Sequence, residues 1–186
     1  MRLRVSWSNM CALSMLLSLC GCGGGEHATA NVNNPPVVTI IPGVSLDEVA
    51  IGELLAEVTA RYGTPDTASS QLGYVMVGWE KQGITVGGFD GNLNGVFDAD
   101  EVCQGLAAAT PYAGKTEKGI GVGSTREAVR NAYGIPEDNA ATNDKYLALG
   151  IGFLYRDDAA DAPVAQVAIF PAGSTVPTAS SILEGK

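Results

Sequence analysis

A stretch of 24 residues occurs twice in this chain. Residues 43–66 read GVSLDEVAIGELLAEVTARYGTPD, and residues 114–137 read GKTEKGIGVGSTREAVRNAYGIPE. At a shift of 71 with no gap, six positions are identical: Gly43/Gly114, Gly52/Gly123, Val58/Val129, Tyr62/Tyr133, Gly63/Gly134 and Pro65/Pro136. Ser45/Thr116, Val49/Ile120, Ile51/Val122 and Asp66/Glu137 are chemically alike. Self-similarity at a fixed period marks a tandem duplication, and it asks the fold to place two like units.

Each copy predicts a short helix. In the second, Ser124 can cap the start, with Glu127 three residues on to complete a capping box. Ala128, Val129, Ala132 and Tyr133 then share one face at helical spacing. Leu54, Leu55, Val58 and Tyr62 make the equivalent stripe in the first copy. Gly63 and Gly134 stand where a helix ends in a left-handed residue, and Pro65 and Pro136 prevent continuation. Gly52 and Gly123 suit a tight turn before each helix.

Strands are predicted to follow each helix. Tyr74–Trp79 and Ile84–Phe89 flank the polar connection 80–83 and read as a hairpin, with a third strand near 102–107. After the second helix, 146–149, Ile151–Tyr155 and 164–170 answer this order, joined through the acidic loop 156–161. A helix with one apolar stripe needs a sheet to cover. The expected fold is therefore α+β: two tandem helix-plus-antiparallel-strand repeats, with both helices packed on one face of a shared antiparallel sheet. The first repeat spans 37–110, the second 111–171, and 172–186 form a C-terminal tail.

The N-terminus reads as an export signal over 1–21. Arg2 and Arg4 precede an apolar run at 10–19 that is too short for a membrane span, for which about 20 residues are needed. Leu19-Cys20-Gly21-Cys22 resembles the lipobox of bacterial lipoproteins, which implies cleavage behind Gly21 and diacylglycerol on Cys22. The alternative is an ordinary signal peptide cut after Ala30, where Ala28-Thr29-Ala30 fits a small-x-small site. A lipidated Cys22 gains about 0.8 kcal/mol per buried methylene, enough to hold a protein on a membrane without a spanning helix. Residues 22–36 then form a flexible Gly/Asn/Pro tether that contains His27, the only histidine. With that histidine in the tether, His-dependent triads and His-based zinc sites are not expected in the folded part.

Removing the two signal arginines takes the formal net charge from −9 to −11, which argues against nucleic-acid partners. Cys103 is the one cysteine left once Cys11 and Cys20 leave with the signal and Cys22 carries lipid. It reads as a small buried residue, with a reactive thiol as the alternative. Gly114-Lys115-Thr116 lacks the leading glycine and the incoming strand of a phosphate-binding loop. Gly119-x-Gly121-x-Gly123 has no βαβ unit around it, as a dinucleotide fingerprint requires.

One constellation carries chemistry. Residues 90–101, DGNLNGVFDADE, have the spacing of an EF-hand calcium loop. Asp90, Asn92, Asn94, the Val96 carbonyl, Asp98 and Glu101 stand at the oxygen-ligand places, with Gly95 at the sharp turn. Hard Ca²⁺ takes six to eight oxygens, and this loop could supply them. Strands rather than helices are expected on both sides, and two neutral Asn ligands weaken affinity. The other reading is an Asn/Gly-rich hairpin turn whose carboxylates face water.

Val49-x-Ile51-Gly52, a short helix ending in Tyr-Gly-x-Pro, and strands after it are similar to two known groups. One is the β-lactamase inhibitory protein family, a tandem repeat of a helix-loop-helix unit on an antiparallel sheet. The other is the SmpA/OmlA-like group of small outer-membrane assembly lipoproteins, with a single such unit. The Gly-Met-Thr usual before the helix is Gly52-Glu53-Leu54 and Gly123-Ser124-Thr125 here, and the inhibitor's disulfides are absent. The resemblance implies a fold and transfers no functional residue.

The functional expectation is a lipid-anchored, non-catalytic protein of the bacterial envelope, on the outer membrane if the cell is Gram-negative. It would act as a binding or scaffold module for an envelope or extracellular protein. The alternative is a weak calcium-binding module through 90–101, and a third class is a hydrolase using carboxylates.

Overall fold

The computed structural model of the chain describes residues 38–174. The export signal, Cys22, the tether and residues 175–186 lie outside the described residues. In chain order the elements are β1 (Val38–Ile41), β2 (Ser45–Leu46), β3 (Val49–Ala50), α1 (Leu55–Tyr62), β4 (Thr67–Gln71), β5 (Tyr74–Trp79), β6 (Ile84–Phe89) and β7 (Gly105–Ala109). They continue with β8 (Lys115–Thr116), α2 (Arg126–Tyr133), β9 (Asp138–Ala140), β10 (Asn143–Tyr146), β11 (Ile151–Tyr155) and β12 (Val164–Ile169).

These elements correct the expected α+β class. The described residues are mostly β, with 12 strands in two sheets and two helices of eight residues each. A helix-plus-strand repeat unit does not describe them. One physical reason lies at the sheet edges. β4 (TASSQ) and β9 (DNA) are exposed and polar, so they carry no apolar alternation, yet each pairs along its length with the next strand. The other reason lies upstream of each helix. Short pieces of the duplicated stretch, β2, β3 and β8, become strands that join β1, which precedes the stretch, in a four-stranded sheet ordered β3-β2-β1-β8.

The larger sheet runs β4-β5-β6-β7-β12-β11-β10-β9, antiparallel throughout. Alternation sorts its two faces. Val75, Val77, Trp79, Val86, Leu106, Val167, Ile169, Ile151 and Phe153 point to one side. They meet Leu55 and Val58 of α1, Val129 of α2, and Ile40, Leu46 and Val49 of the small sheet in one core. The opposite face carries a smaller cluster of Tyr74, Ala107 and Ala168 with Met76 and Leu154 against it.

The two copies of the duplicated stretch share local geometry. Gly52 N–H bonds Cys103 O and Gly123 N–H bonds Val164 O, at 2.7 and 2.8 Å. Gly63 and Gly134 end the helices at φ 83° and 85°, where a side chain would be strained. Trp79 Nε1 donates to the Gly63 carbonyl at 2.9 Å, and the Tyr146 hydroxyl donates to the Gly134 carbonyl at 3.0 Å. The capping differs from expectation. Thr125, not Ser124, caps α2 by accepting the Ala128 N–H at 3.1 Å, while Ser124 Oγ accepts from Gly121. Leu54 stands before α1 and is exposed, so it is not part of the buried stripe.

Candidate functional site

The 90–101 loop leaves the end of β6 and returns to β7. Phe97, 5 % exposed, fastens it to the core. Its ring lies on Gly88, where a Cβ would stand 2.9 Å from the ring carbons. Gly95 takes φ 80°, the left-handed turn that the sixth place of the loop requires.

The structure ties all the polar side chains expected at this site into the hydrogen bonds of one loop. Asp90, almost fully buried, accepts the Asn94 N–H on Oδ1 at 3.2 Å and the Gly95 N–H on Oδ2 at 2.6 Å. Asn92 Oδ1 accepts the Asn94 N–H at 3.0 Å, and Asn94 Oδ1 accepts the Val96 N–H at 2.7 Å. These successive side-chain-to-backbone turns wind the loop around its own acceptors. Glu101 reaches back across the opening: Oε1 accepts the Gly91 N–H at 2.6 Å and Oε2 the Asp98 N–H at 2.8 Å. Asp98 Oδ2 is met by two amide donors, Asn92 Nδ2 at 2.7 Å and Asn94 Nδ2 at 2.9 Å.

Chemically the loop is rich in oxygen acceptors. Three carboxylates, two amide oxygens and the Val96 carbonyl are the hard-ligand set that Ca²⁺ takes. The positive ends of two amide dipoles gather on Asp98, which is what a cation would do with more charge. Among the described residues no group of three or more His, Cys, Asp and Glu side chains is placed to hold a metal by itself. Any ion here would therefore depend on the asparagines and the carbonyl as well as on the acids.

A second polar cluster escaped the sequence reading. Asp144, fully buried on β10, receives Arg130 in a two-point contact, Nε at 2.9 Å and Nη2 at 2.8 Å, and the Tyr155 hydroxyl at 2.9 Å. Arg126 lies 3.6 Å from the same carboxylate and 4.3 Å over the Tyr155 ring, and it donates to the Ala140, Ala141 and Asp158 carbonyls. Burial alone would raise the Asp144 carboxyl; the bonds from Arg130 and Tyr155 and the charges of Arg126 and Arg130 outweigh it and hold it below the ordinary carboxylate range. Burial and the Asp144 charge push the Tyr155 hydroxyl far up. Neither group titrates near neutrality, so the cluster ties α2 to the sheet and is not poised for proton transfer. The sequence signal for it was Arg126 and Arg130, four apart on α2.

The remaining candidates fall into structural places. Tyr62 packs against Trp79 with ring centroids 5.8 Å apart and donates to Asp47 at 3.3 Å; burial and Asp47 push its hydroxyl up to about 12. Lys115 and Thr116 form β8 beside β1. Cys103 is buried, and burial pushes its thiol up to about 11. Cys22 lies outside the described residues, and among those described no helix is long and apolar enough to cross a membrane.

No protein family model, no curated protein and no solved structure matches this chain.

Proposed function

We infer that this chain is a non-catalytic module of the bacterial envelope, held to a membrane by lipid on Cys22, whose 90–101 loop takes a calcium ion. One observation carries the metal reading. The Asn92 and Asn94 side chains both reach Asp98, and Asp90 and Glu101 are held as acceptors by four backbone N–H groups of the same loop. The anchor reading rests on Leu19, Gly21 and Cys22 behind an apolar run. Calcium would stiffen the long connection between β6 and β7 and so fix the surface beside α1.

The test is a calorimetric titration with Ca²⁺, with melting curves in Ca²⁺, in Mg²⁺ and in chelator. At a free concentration of about a hundred times Kd, bound metal stabilises by about 2.7 kcal/mol, which raises Tm by several degrees. Mg²⁺ demands a tighter octahedron and should shift Tm far less. Glu101→Gln should remove the calcium shift, and it should lower the metal-free melting temperature modestly, because one of the two N–H groups that Glu101 accepts loses its acceptor. A flat titration, with equal melting in Ca²⁺ and chelator, would end the calcium reading.

A further inference from the structure

We propose that the cleft between α1, β4–β5 and the second half of the 90–101 loop docks an apolar, positively charged segment of another protein. The cleft is a groove of about 670 Å³. Val75, Val77 and Phe97 form its floor, and the exposed Ala56, Ala60 and Val96 form its rims.

The second copy of the duplicated stretch shows what such a cleft needs. Leu55, Thr59 and Val77 stand where Arg126, Arg130 and Asp144 stand in the other half. The first two pairs match by the shift of 71. The third matches because Trp79 and Tyr146, each two residues further along its strand, bond the corresponding helix-end carbonyls. In the second half two arginines and a carboxylate fill the space between helix and sheet. In the first half the same places hold apolar or small side chains, and the space is open. One half carries its own cationic plug, and the other lacks one.

Charge says what kind of plug would fit. Residues 53–101 hold eight acidic side chains and two basic ones, so this part contributes −6 of the chain's −9. Arg61, one of the two basic residues, is tied to Glu53. Glu57 and Asp66 are exposed, and Asp98 partly so. Glu57, Asp66 and Asp98 stand next in the chain to the lining residues Ala56, Pro65, Phe97 and Ala99. An apolar groove with acidic residues at its border selects apolar side chains flanked by Lys or Arg and disfavours acidic segments.

The test uses the full chain in chelator, so that its outcome is independent of calcium binding. The probe is a fluorescein-labelled 14-residue peptide of Leu and Lys in amphipathic-helix order, followed by anisotropy. The Leu/Lys peptide should bind with micromolar Kd, and the same peptide with Ser for Leu should bind at least tenfold more weakly. Ala60→Glu, on the exposed side of α1, puts bulk into the groove while adding negative charge. Docking in the groove predicts at least a tenfold loss for this variant, whereas adhesion by charge alone predicts a gain. Ala68→Glu on β4 repeats the test from the opposite wall, should Ala60→Glu disturb the helix. Unchanged or tighter binding by both variants, equal binding of the Ser/Lys peptide, or a dimer of the chain that both variants break would each overturn the proposal. A groove that binds peptide in a chain that takes no calcium would leave this inference standing and end the calcium reading alone.

Discussion

Leu55 and Arg126 occupy the same place in two different settings. Each opens a helix, and each donates its N–H at 3.0 Å to a carbonyl of the loop that follows the neighbouring strand, Glu101 for Leu55 and Ala162 for Arg126. The next residues repeat the match, Ala56 to Ala99 and Glu127 to Ala160, both at 3.0 Å. The backbone slot is shared; the side chains diverge from an aliphatic group to a buried guanidinium. The helix starts are thus satisfied by distant carbonyls more than by local caps, which ties each helix to its loop.

Asp144→Asn should be strongly destabilising. It leaves Arg126, almost fully buried, without its countercharge, a change that costs about 3–5 kcal/mol when a buried pair loses one member. The pH dependence has a definite sign. Asp144 is held below the ordinary carboxylate range, so its contribution is fully present above the unfolded value of about 3.9 and is lost as pH falls through the folded value. Urea titrations of wild type and variant from pH 7 downward should converge below pH 4. A constant gap across that range would contradict the assignment.

Val58→Ala and Val129→Ala should each cost on the order of 1–3 kcal/mol through lost burial and a cavity. Both side chains are 0 % exposed in the same core. Chemical denaturation should show losses of similar size for the two. Leu54→Ala, at an exposed site before α1, should cost clearly less.

Cys103 should be inert in the folded protein. Its thiol is buried and pushed up to about 11, so little thiolate exists at pH 8 and reagent cannot reach it. With Cys11, Cys20 and Cys22 replaced by serine, an aromatic disulfide reagent should release no chromophore from native protein. It should release one equivalent after guanidinium is added. Rapid reaction of the native chain would refute the burial argument.

Full-length protein expressed in a bacterium should partition with membranes, and Cys22→Ala should release it. Mass spectrometry of the mature N-terminus should find diacylglycerol on Cys22. A mature chain starting at Asn31 without lipid would instead support the ordinary signal peptide.

Local signals were legible where side chains face the core. The alternation of Tyr74–Trp79 and Ile84–Phe89 gives strands with those bounds, and Ile151–Tyr155 does the same. Asp90, Asn92, Asn94, Asp98 and Glu101 could be placed in one loop because calcium-type spacing is a local property of the chain. What periodicity misses is pairing by backbone alone. β4 and β9 offer no apolar face, and the two-residue strands β2, β3 and β8 are too short to show a period. β10 reads NDKY and looks like a polar loop, yet all four of its residues are buried. Its Asp144 is tolerated because Arg126 and Arg130 reach it from α2, a contact between positions that no short window can connect. Class was misjudged for the same reason: counting only strands with an apolar face left out most of the strands that tip the balance to β.

The order of the large sheet sets an order of assembly. β4 through β7 pair with their neighbours in sequence, as do β9 through β12, so each half can pair locally, with the β4–β5 and β5–β6 hairpins closing on the microsecond scale. The seam is different. Ala107 lies opposite Ala168 in the β7–β12 pairing, with a whole half of the sheet between them in sequence. Closing that seam requires a long-range encounter, the slow class of contact in folding. A chain made from its N-terminus completes β7 well before β12 exists. For that interval the backbone edge of β7 is bare, and an unpaired edge is a template for the wrong strand. The middle of the finished sheet, its most protected line, is therefore the most vulnerable line of the nascent one.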